Sequence, residues 1–215
     1  MEITLVGANG LIGNMLLNKL IETDTVTKIH LLLRKENPTL PISDKIQTHI
    51  VDFTNDEDLK KSIHGDCLIC SIGTTKAKTP VISDYEKIDR DIPVKLSLIA
   101  KENNIIEYHL ISAVGADSRS NLFYSRIKGE AEEGVIKSEI KTIFIYRPGL
   151  LIGKRTEIRF GELIAQKLNF LIDLFMIGPL KKYHSIKAEK LANVIIRNMK
   201  STKKGEISIN YYPFT

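Results

Sequence analysis

The chain has 215 residues, of which 43% are hydrophobic and 27% are charged, with a formal net charge of +5. This length and composition predict one domain over residues 1–215 that buries a sizeable core, and they leave no room for a second full domain. The basic residues occur singly or in short pairs, which is typical of solvated surfaces, so we expect no nucleic-acid partner.

Two further features bear on compartment and membranes. The sequence opens on an apolar run at 2–6 without a basic leader segment, and no apolar run reaches the length of a membrane span. Cys67 and Cys70 share a short apolar run, in which strand periodicity places them on opposite faces and favours core thiols over a redox pair. We therefore expect a cytoplasmic protein with neither disulfides nor a membrane partner.

Short runs rich in leucine or β-branched residues alternate with longer amphipathic stretches, as in successive β-α units. This alternation predicts an α/β fold, a doubly wound parallel sheet of the Rossmann type with strand order 3-2-1-4-5-6-7 and helices on both faces. We expect a small substrate cap within about 150–190. The predicted strands are 2–6, 28–33, 47–51, 66–71, 106–112, 141–146 and 206–210. The predicted helices are 11–22, 55–63, 84–103, 122–138, 160–175 and 187–200.

The first strand runs directly into a glycine-rich turn that precedes the first helix. In a dinucleotide-binding turn, Gly7 makes the tight turn, Gly10 lets the backbone approach a pyrophosphate, and Gly13 lets helix and strand pack closely. The helix N-terminus then offers free amides and a positive dipole to the phosphates. An ordinary β-α loop could carry the same glycines, but its position favours cofactor binding. The predicted phosphate-binding residues are Gly7, Ala8, Asn9, Gly10, Leu11, Ile12 and Gly13.

The ends of the second and third strands bear on the adenosine half of the cofactor. Proteins that prefer NAD usually carry an acid after the second strand, whereas this chain has Arg34 and Lys35, which suit a 2′-phosphate and predict NADP(H). The alternative is a pair of solvated loop cations. Asp52 and Phe53 are placed to border the adenine, although Asp52 could equally form a turn.

The fourth strand ends in a polar loop containing Ser71, Ile72, Gly73 and Thr74. Its glycine permits the backbone to lie along the cofactor, so we expect this loop to face the nicotinamide-side ribose and phosphate, although any polar β-α loop could look the same. In the following helix, Asp89 stands where the wider class often has an asparagine that orders a relay water. That departure leaves a proton relay open.

A tyrosine and a lysine four residues apart form the candidate catalytic pair. Tyr124 and Lys128 fall one turn apart on one helical face, and a nearby cation stabilises a phenolate. The phenol would then pass a proton to or from the substrate oxygen while the lysine holds the nicotinamide ribose. A single such spacing is often just an exposed pair, but this one follows the fifth strand of a Rossmann pattern.

Residues at the ends of the fifth and sixth strands complete the predicted site. Ser112 is the expected hydrogen-bond donor to the substrate oxygen, although the register could place Ala113 there and Ser112 could simply cap a turn. After the sixth strand, backbone groups of Pro148, Gly149 and Leu151 are expected against the nicotinamide carboxamide. Arg159 either reaches a cofactor phosphate or shapes the chain's exit from the sheet. None of the five histidines has the spacing of a metal pair, so we expect no metal.

Taken together, these motifs resemble the atypical short-chain dehydrogenase/reductases, in particular the HIV Tat-interactive protein two-like branch and its bacterial oxidoreductase relatives. The resemblance runs almost end to end and implies a Rossmann fold, bound NADPH and a central tyrosine-lysine pair. It implies no substrate. The segments that carry it are 7–13, 51–53, 71–75, 89–95, 111–117, 123–130 and 147–151.

Two functions of different class fit these residues. The first is an NADP(H)-dependent oxidoreductase acting on a small carbonyl or alcohol, which Tyr124 and Lys128 favour. The second is an NADPH-binding regulatory or interaction protein with little turnover. A nucleotide-sugar epimerase is a weaker third reading, because the short C-terminal part leaves little room for a sugar-nucleotide pocket. We expect a monomer or a homodimer.

Overall fold

The computed structural model describes residues 1–153, 184–199 and 207–211. Seven strands pair in parallel into one sheet, and two short ones form a second sheet. The strands are β1 Glu2–Val6, β2 Lys28–Leu33, β3 Ile46–Ile50, β4 Cys67–Cys70, β5 Glu107–Ile111, β6 Thr142–Arg147, β7 Leu151–Ile152, β8 Ile186–Lys187 and β9 Ile207–Tyr211. Across the main sheet their order is β3-β2-β1-β4-β5-β6-β9, which confirms the predicted topology.

The helices lie between these strands. They are α1 Leu11–Ile21, α2 Asp56–Ser62, α3 Ile82–Glu86, α4 Ile92–Glu102, α5 Phe123–Ile136 and α6 Ala188–Met199. A π-helical segment, Lys87–Asp91, joins α3 to α4. The single helix predicted over 84–103 is therefore wrong in its interior, where the wider turn holds the side chain of Asp89 inside the protein.

Most other predicted bounds agree with the structure to within one or two residues. The predicted helix 160–175 falls outside the described residues. The pairing of β7 with β8 was not predicted, because two-residue strands carry no periodic signal. No helix in the described ranges is long and apolar enough to cross a membrane.

The core consists of two apolar layers, one on each face of the sheet. Leu5 and Leu31 belong to the layer that includes buried residues of α1 and α6, and Val6 and Leu32 belong to the layer that includes those of α2, α4 and α5. Alternate strand residues enter opposite layers because successive side chains of a strand point to opposite faces. The two cysteines, which form no disulfide, lie on opposite faces as predicted, with Cys67 in the first layer and Cys70 in the second.

Candidate functional site

The glycine turn between β1 and α1 is closed by its own backbone. The Gly10 amide donates to the Gly7 carbonyl oxygen at 2.9 Å, and Gly7 has a φ of +94°, which favours glycine. A Cβ on Gly13 would stand only 2.1 Å from the Gly7 oxygen. The first turn of α1 can approach β1 this closely only because position 13 lacks a side chain.

The N-terminus of α1 has the character of an anion site. Its N-cap is Gly10, which supplies no side-chain cap, and its first turn contains no acidic residue. The first amides of a helix have no partner within it and lie at the positive end of its dipole. Ala8 and Ile12 are buried and anchor the turn, while Asn9 and Gly10 are exposed. The turn therefore fits a pyrophosphate group, which the predicted dinucleotide would supply.

The loop that follows β2 lies beside this turn. Arg34 and Lys35 are exposed there, and within residues 1–153 and 184–199 neither forms an ion pair. Asn37 ties the loop to the glycine turn, since its Nδ2 donates to the Asn9 Oδ1 at 2.7 Å. Two cations consequently stand next to the candidate phosphate site.

Asp52 and Phe53 follow β3 and differ in exposure. The Asp52 carboxylate accepts hydrogen bonds from the Thr54 amide and hydroxyl, both at 2.8 Å, and these bonds lower the pKa of Asp52. This is the turn-forming geometry that was the alternative for Asp52. The Phe53 side chain is buried in the second apolar layer. The adenine-bordering role of the pair stays a prediction.

The loop after β4 joins the glycine turn to the predicted catalytic helix. Ser71 Oγ donates to the Val6 carbonyl at 2.8 Å, and a Cβ on Gly7 would come within 2.7 Å of that hydroxyl oxygen. Ile72 packs against the second apolar layer. At its far end, the Thr74 amide donates to Asp89 Oδ2 at 2.8 Å.

Asp89 and Lys128 form a buried ion pair beneath this loop. Their Oδ1 and Nζ atoms are 2.7 Å apart, and the two residues are 1% and 6% exposed. Burial lowers the pKa of Lys128, but attraction to Asp89 and Tyr124 outweighs it and leaves that pKa above its ordinary value. Gly73 lies over the pair, because a Cβ there would be 3.5 Å from Asp89 Oδ1 and 3.8 Å from Lys128 Nζ. Lys128 is thus a fixed cation.

Tyr124 lies one helical turn before Lys128, in the first turn of α5, and is 47% exposed. Its neighbour Phe123 anchors the start of the helix through an edge contact with the buried Tyr85 ring, 5.4 Å between centroids. Lys76 Nζ, from the β4 loop, stands 5.3 Å from the Phe123 ring centre. The phenol therefore stays accessible while the adjacent lysine is enclosed.

Ser112 is bonded to Glu132, which in turn is paired with Arg147, and neither of these two residues was among the predicted site residues. The hydroxyl of Ser112, 6% exposed, donates to Glu132, and the Glu132 carboxylate also accepts from Arg147 Nε at 2.9 and 3.0 Å. Glu132 follows Lys128 by four residues and so shares its helical face. That spacing was the available signal for Glu132, whereas Arg147 was noted only as part of a motif. The catalytic role of Ser112 stays a prediction.

The remaining predicted residues lie at the end of β6 or beyond it. Pro148 is buried and its carbonyl accepts from the Val114 amide at 2.9 Å. Gly149 and Leu151 are partly buried, and Leu151 belongs to the short strand β7. Arg159 lies outside the described residues.

Comparisons with known proteins find similar sequences along most of the chain. A family model described as NAD(P)H-binding matches residues 7–201. The mitochondrial protein fmp52 of Emericella nidulans is 30% identical over 190 residues, which cover 86% of this chain and 78% of that protein. Protein HTATIP2 of Rattus norvegicus is 26% identical over 211 residues, which cover 97% of this chain and 85% of that protein. The resemblance to the HIV Tat-interactive protein two-like branch is confirmed.

Two solved structures show the same fold. The oxidoreductase ylbE from Lactococcus lactis has a TM-score of 0.69 at 19% identity, covering 96% of this chain and 89% of that one. A UDP-glucuronic acid 4-epimerase from Bacillus cereus, in complex with NAD, has a TM-score of 0.71 at 16% identity, covering 98% and 77%. At such identities the likeness establishes the Rossmann-like fold alone.

The names of the fungal relatives correct one expectation. Proteins from Emericella nidulans, Saccharomyces cerevisiae and Candida albicans that match this chain at 30 to 34% identity are all named mitochondrial. The prediction of a cytoplasmic protein is therefore wrong. It was based on the lack of a recognisable leader, the lack of a membrane span and two thiols expected in the core, and none of these features is specific to the cytoplasm.

Proposed function

Because the chain belongs to the family of NAD(P)H-binding proteins, we propose that it is an NADP(H)-dependent oxidoreductase that acts on a small carbonyl or alcohol. The observation that carries this proposal is the enclosed Lys128–Asp89 pair, one helical turn from the accessible phenol of Tyr124. A surface helix has no need of a buried lysine, and burying one without chemical use costs stability. The glycine turn and the open end of α1 supply the complementary phosphate site.

Each residue then has a distinct task. Bound nicotinamide supplies or accepts hydride, and Tyr124 donates a proton to the carbonyl oxygen or removes one from the alcohol. The fixed charge of Lys128 favours the phenolate form of Tyr124 and is available to the nicotinamide ribose hydroxyls. Asp89 keeps Lys128 charged and in place, and through the Thr74 amide it also fixes the β4 loop. Residues within 150–190 are proposed as the substrate cap of the single domain.

The catalytic assignment is tested with Tyr124→Phe. We expect kcat for NADPH consumption, measured on a panel of aldehydes and quinones, to fall by about 10²- to 10⁴-fold, the usual contribution of a general acid. NADPH binding, followed by nicotinamide fluorescence, should change little because the ring is retained. Ser125→Ala, at the next position of α5, is the matched control and should keep full activity. Equal rates for wild type and Tyr124→Phe would contradict the proposal.

The preference for NADP(H) is tested at the end of β2. A guanidinium paired with a phosphate contributes about 1.5–3 kcal/mol, so Arg34→Ala should lower the NADPH affinity by roughly tenfold or more. The NADH affinity should stay nearly unchanged. Lys28→Ala removes the same charge from the opposite end of the same strand and serves as control. An unchanged ratio of NADPH to NADH affinity in Arg34→Ala would refute the assignment.

A second candidate is a cofactor-binding regulatory protein with little turnover. One observation favours it. The Ser112 hydroxyl donates a hydrogen bond to the buried Glu132 carboxylate, so its hydrogen does not point at a substrate oxygen. If this candidate holds, the wild type binds NADPH but consumes none with any member of the panel. Turnover that depends on Tyr124 decides for the oxidoreductase.

A further inference from the structure

Three histidines from separate elements meet on one face of the sheet. His30 lies on β2, His49 on the edge strand β3, and His64 in the loop between α2 and β4. Thr4 ties that loop to β1, since its hydroxyl donates to the His64 carbonyl at 2.7 Å and accepts from the His64 amide at 3.0 Å. We call His30, His49 and His64 the histidine cluster.

Two of the three distances between the ring centroids are close to those of a metal site. The ring centroids are 5.3 Å apart for His30 and His49, 4.9 Å for His30 and His64, and 6.1 Å for His49 and His64. A tetrahedral ion bound 2.0–2.1 Å from each nitrogen places the ring centres about 5.2 Å apart and the nitrogens about 3.3 Å apart. His30 Nδ1 and His49 Nε2 are 3.1 Å apart.

The hydrogen bonds of the cluster determine which nitrogens have lone pairs. His30 Nε2 donates to the Glu2 carboxylate at 3.2 Å, so its Nδ1 carries the lone pair and accepts from His49 Nε2 at 3.1 Å. A metal ion between these two nitrogens would displace the His49 Nε2 proton. His64 Nε2 donates to the Lys61 carbonyl oxygen at 2.8 Å, which leaves the lone pair of the neutral ring on its Nδ1. A carboxylate behind a histidine is the usual way to orient a metal ligand.

We propose that the histidine cluster binds a divalent transition-metal ion of the Zn²⁺ type, with Glu2 orienting His30. Such an ion would cross-link the edge strand β3 to β2 and to the loop that carries His64. The ligand nitrogens of the three rings do not all lie within 4.8 Å of one another, so binding requires the exposed His64 ring to turn and to give up its hydrogen bond to the Lys61 carbonyl oxygen. The fourth position is open to water on that exposed side. The site is independent of the proposed oxidoreductase function.

A second group of metal-type side chains, Cys67, Glu107 and His109, has closer atoms but fits an ion less well. All three residues are buried. Unlike the histidine cluster, in which His64 is exposed, this group has no solvent-facing member that an entering ion could reach. His109 is bonded at Nε2 to Glu107 at 2.6 Å and at Nδ1 to the Tyr146 hydroxyl at 2.9 Å. We assign this group to an internal hydrogen-bond network.

The experiment uses the tag-free, metal-stripped full chain. Zn²⁺ is titrated calorimetrically, and Co²⁺ is titrated by its visible absorption. We expect one ion per chain, with affinity at least tenfold weaker in His49→Ala and in His64→Ala, and about tenfold weaker in Glu2→Gln, the usual size of an effect from an orienting carboxylate. Thr48→Ala, next to His49 on the edge strand, should bind as the wild type does. Zn²⁺ should raise the Tm of the wild type and of Thr48→Ala but not of His64→Ala.

Three results would overturn the proposal. The first is no uptake of Zn²⁺ or Co²⁺ by the wild type. The second is uptake that persists unchanged in both His49→Ala and His64→Ala, whose folding is checked by circular dichroism. His64 is exposed, so its variant is expected to fold even if an edge-strand change does not. The third is a thiolate charge-transfer band on Co²⁺ that disappears in Cys67→Ser, which would place the ion in the buried group instead.

Discussion

The two halves of the candidate cofactor site are built in opposite ways. The half at β1 and α1 consists of backbone, with glycines where side chains would collide and a helix end without a cap. The half at α5 consists of charged pairs, the buried Lys128 with Asp89 and the buried Glu132 with the partly buried Arg147. The first half therefore tolerates no added volume at Gly7 or Gly13, and the second tolerates no missing partner.

The two halves also have different tasks, phosphate binding in the first and proton transfer in the second. A phosphate can be bound by backbone amides and a helix dipole, which every chain possesses, so the first half needs only room. Proton transfer needs particular side chains in fixed protonation states, and fixing a cation inside a protein needs a counter-ion. The charged half is consequently the more costly one to build and the more specific in its chemistry.

The largest effect is expected from unpairing the charged half. Asp89→Asn keeps the shape of the side chain but leaves Lys128 enclosed without a counter-ion, and breaking a buried pair in this way costs about 3–5 kcal/mol. We expect the free energy of unfolding, measured by urea denaturation, to fall by about 3 kcal/mol, since the amide oxygen still accepts one hydrogen bond. The double variant Asp89→Asn with Lys128→Met should recover most of this loss. A loss as large in the double variant as in the single one would contradict the pairing.

The same pair predicts the direction of an alkaline effect. The pKa of Lys128 is raised in the folded protein, so the native state holds this proton more tightly than the unfolded chain does. Its stabilisation is present below the pKa of an unfolded lysine, about 10.4, and is lost as pH rises through the higher folded value. Urea denaturation at a series of alkaline pH values should show this loss in the wild type. Removing the titrating group in Lys128→Met should make the slope shallower.

The next largest effect is expected from filling the glycine half. A Cβ at Gly13 would lie 2.1 Å from a backbone oxygen that cannot rotate away, whereas one at Gly10 would meet its nearest neighbour at 3.3 Å. Gly13→Ala should therefore lower the free energy of unfolding by about 2–3 kcal/mol, at the upper end for overpacking. Gly10→Ala, the matched control in the same turn, should cost less than about 1 kcal/mol. Equal losses in the two variants would mean that α1 does not pack on β1 as described.

The sequence predicted the glycine half better than the charged half, for a physical reason. Strands, glycine turns and helix starts are local features, so the periodicity and spacing of nearby residues predict them. The strand order followed from the alternation of β and α segments. The contact of Lys128 with Asp89 joins a helix to a π-helical segment, and the hydrophobic periodicity of the sequence does not predict such a segment. Asp89 was noticed only as a departure from asparagine, although it is the counter-ion.

The histidine cluster was missed for the same reason. Its members stand at 30, 49 and 64, on two strands and a loop, so linear spacing could not show that their rings meet. The expectation of no metal pair was drawn from spacing alone. The spacing of residues along the sequence can reveal ligands that lie on one helix or in one loop. It cannot reveal ligands that lie on different strands and come together only when those strands pair.

The smallest effect is expected where a side chain does take part in the glycine half. Asn37 Nδ2 donates to Asn9 Oδ1 across an exposed gap, and an exposed neutral hydrogen bond contributes only about 0.5–1.5 kcal/mol. Asn37→Ala should therefore leave the urea midpoint almost unchanged, yet it should weaken NADPH binding about three- to tenfold, because it releases the loop carrying Arg34 from the phosphate turn. Fluorescence titration of NADPH measures this, with Ile42→Ala, which is fully exposed between β2 and β3, as control. A large loss of stability without a loss of affinity would show that Asn37 serves the fold and that backbone alone shapes the phosphate half.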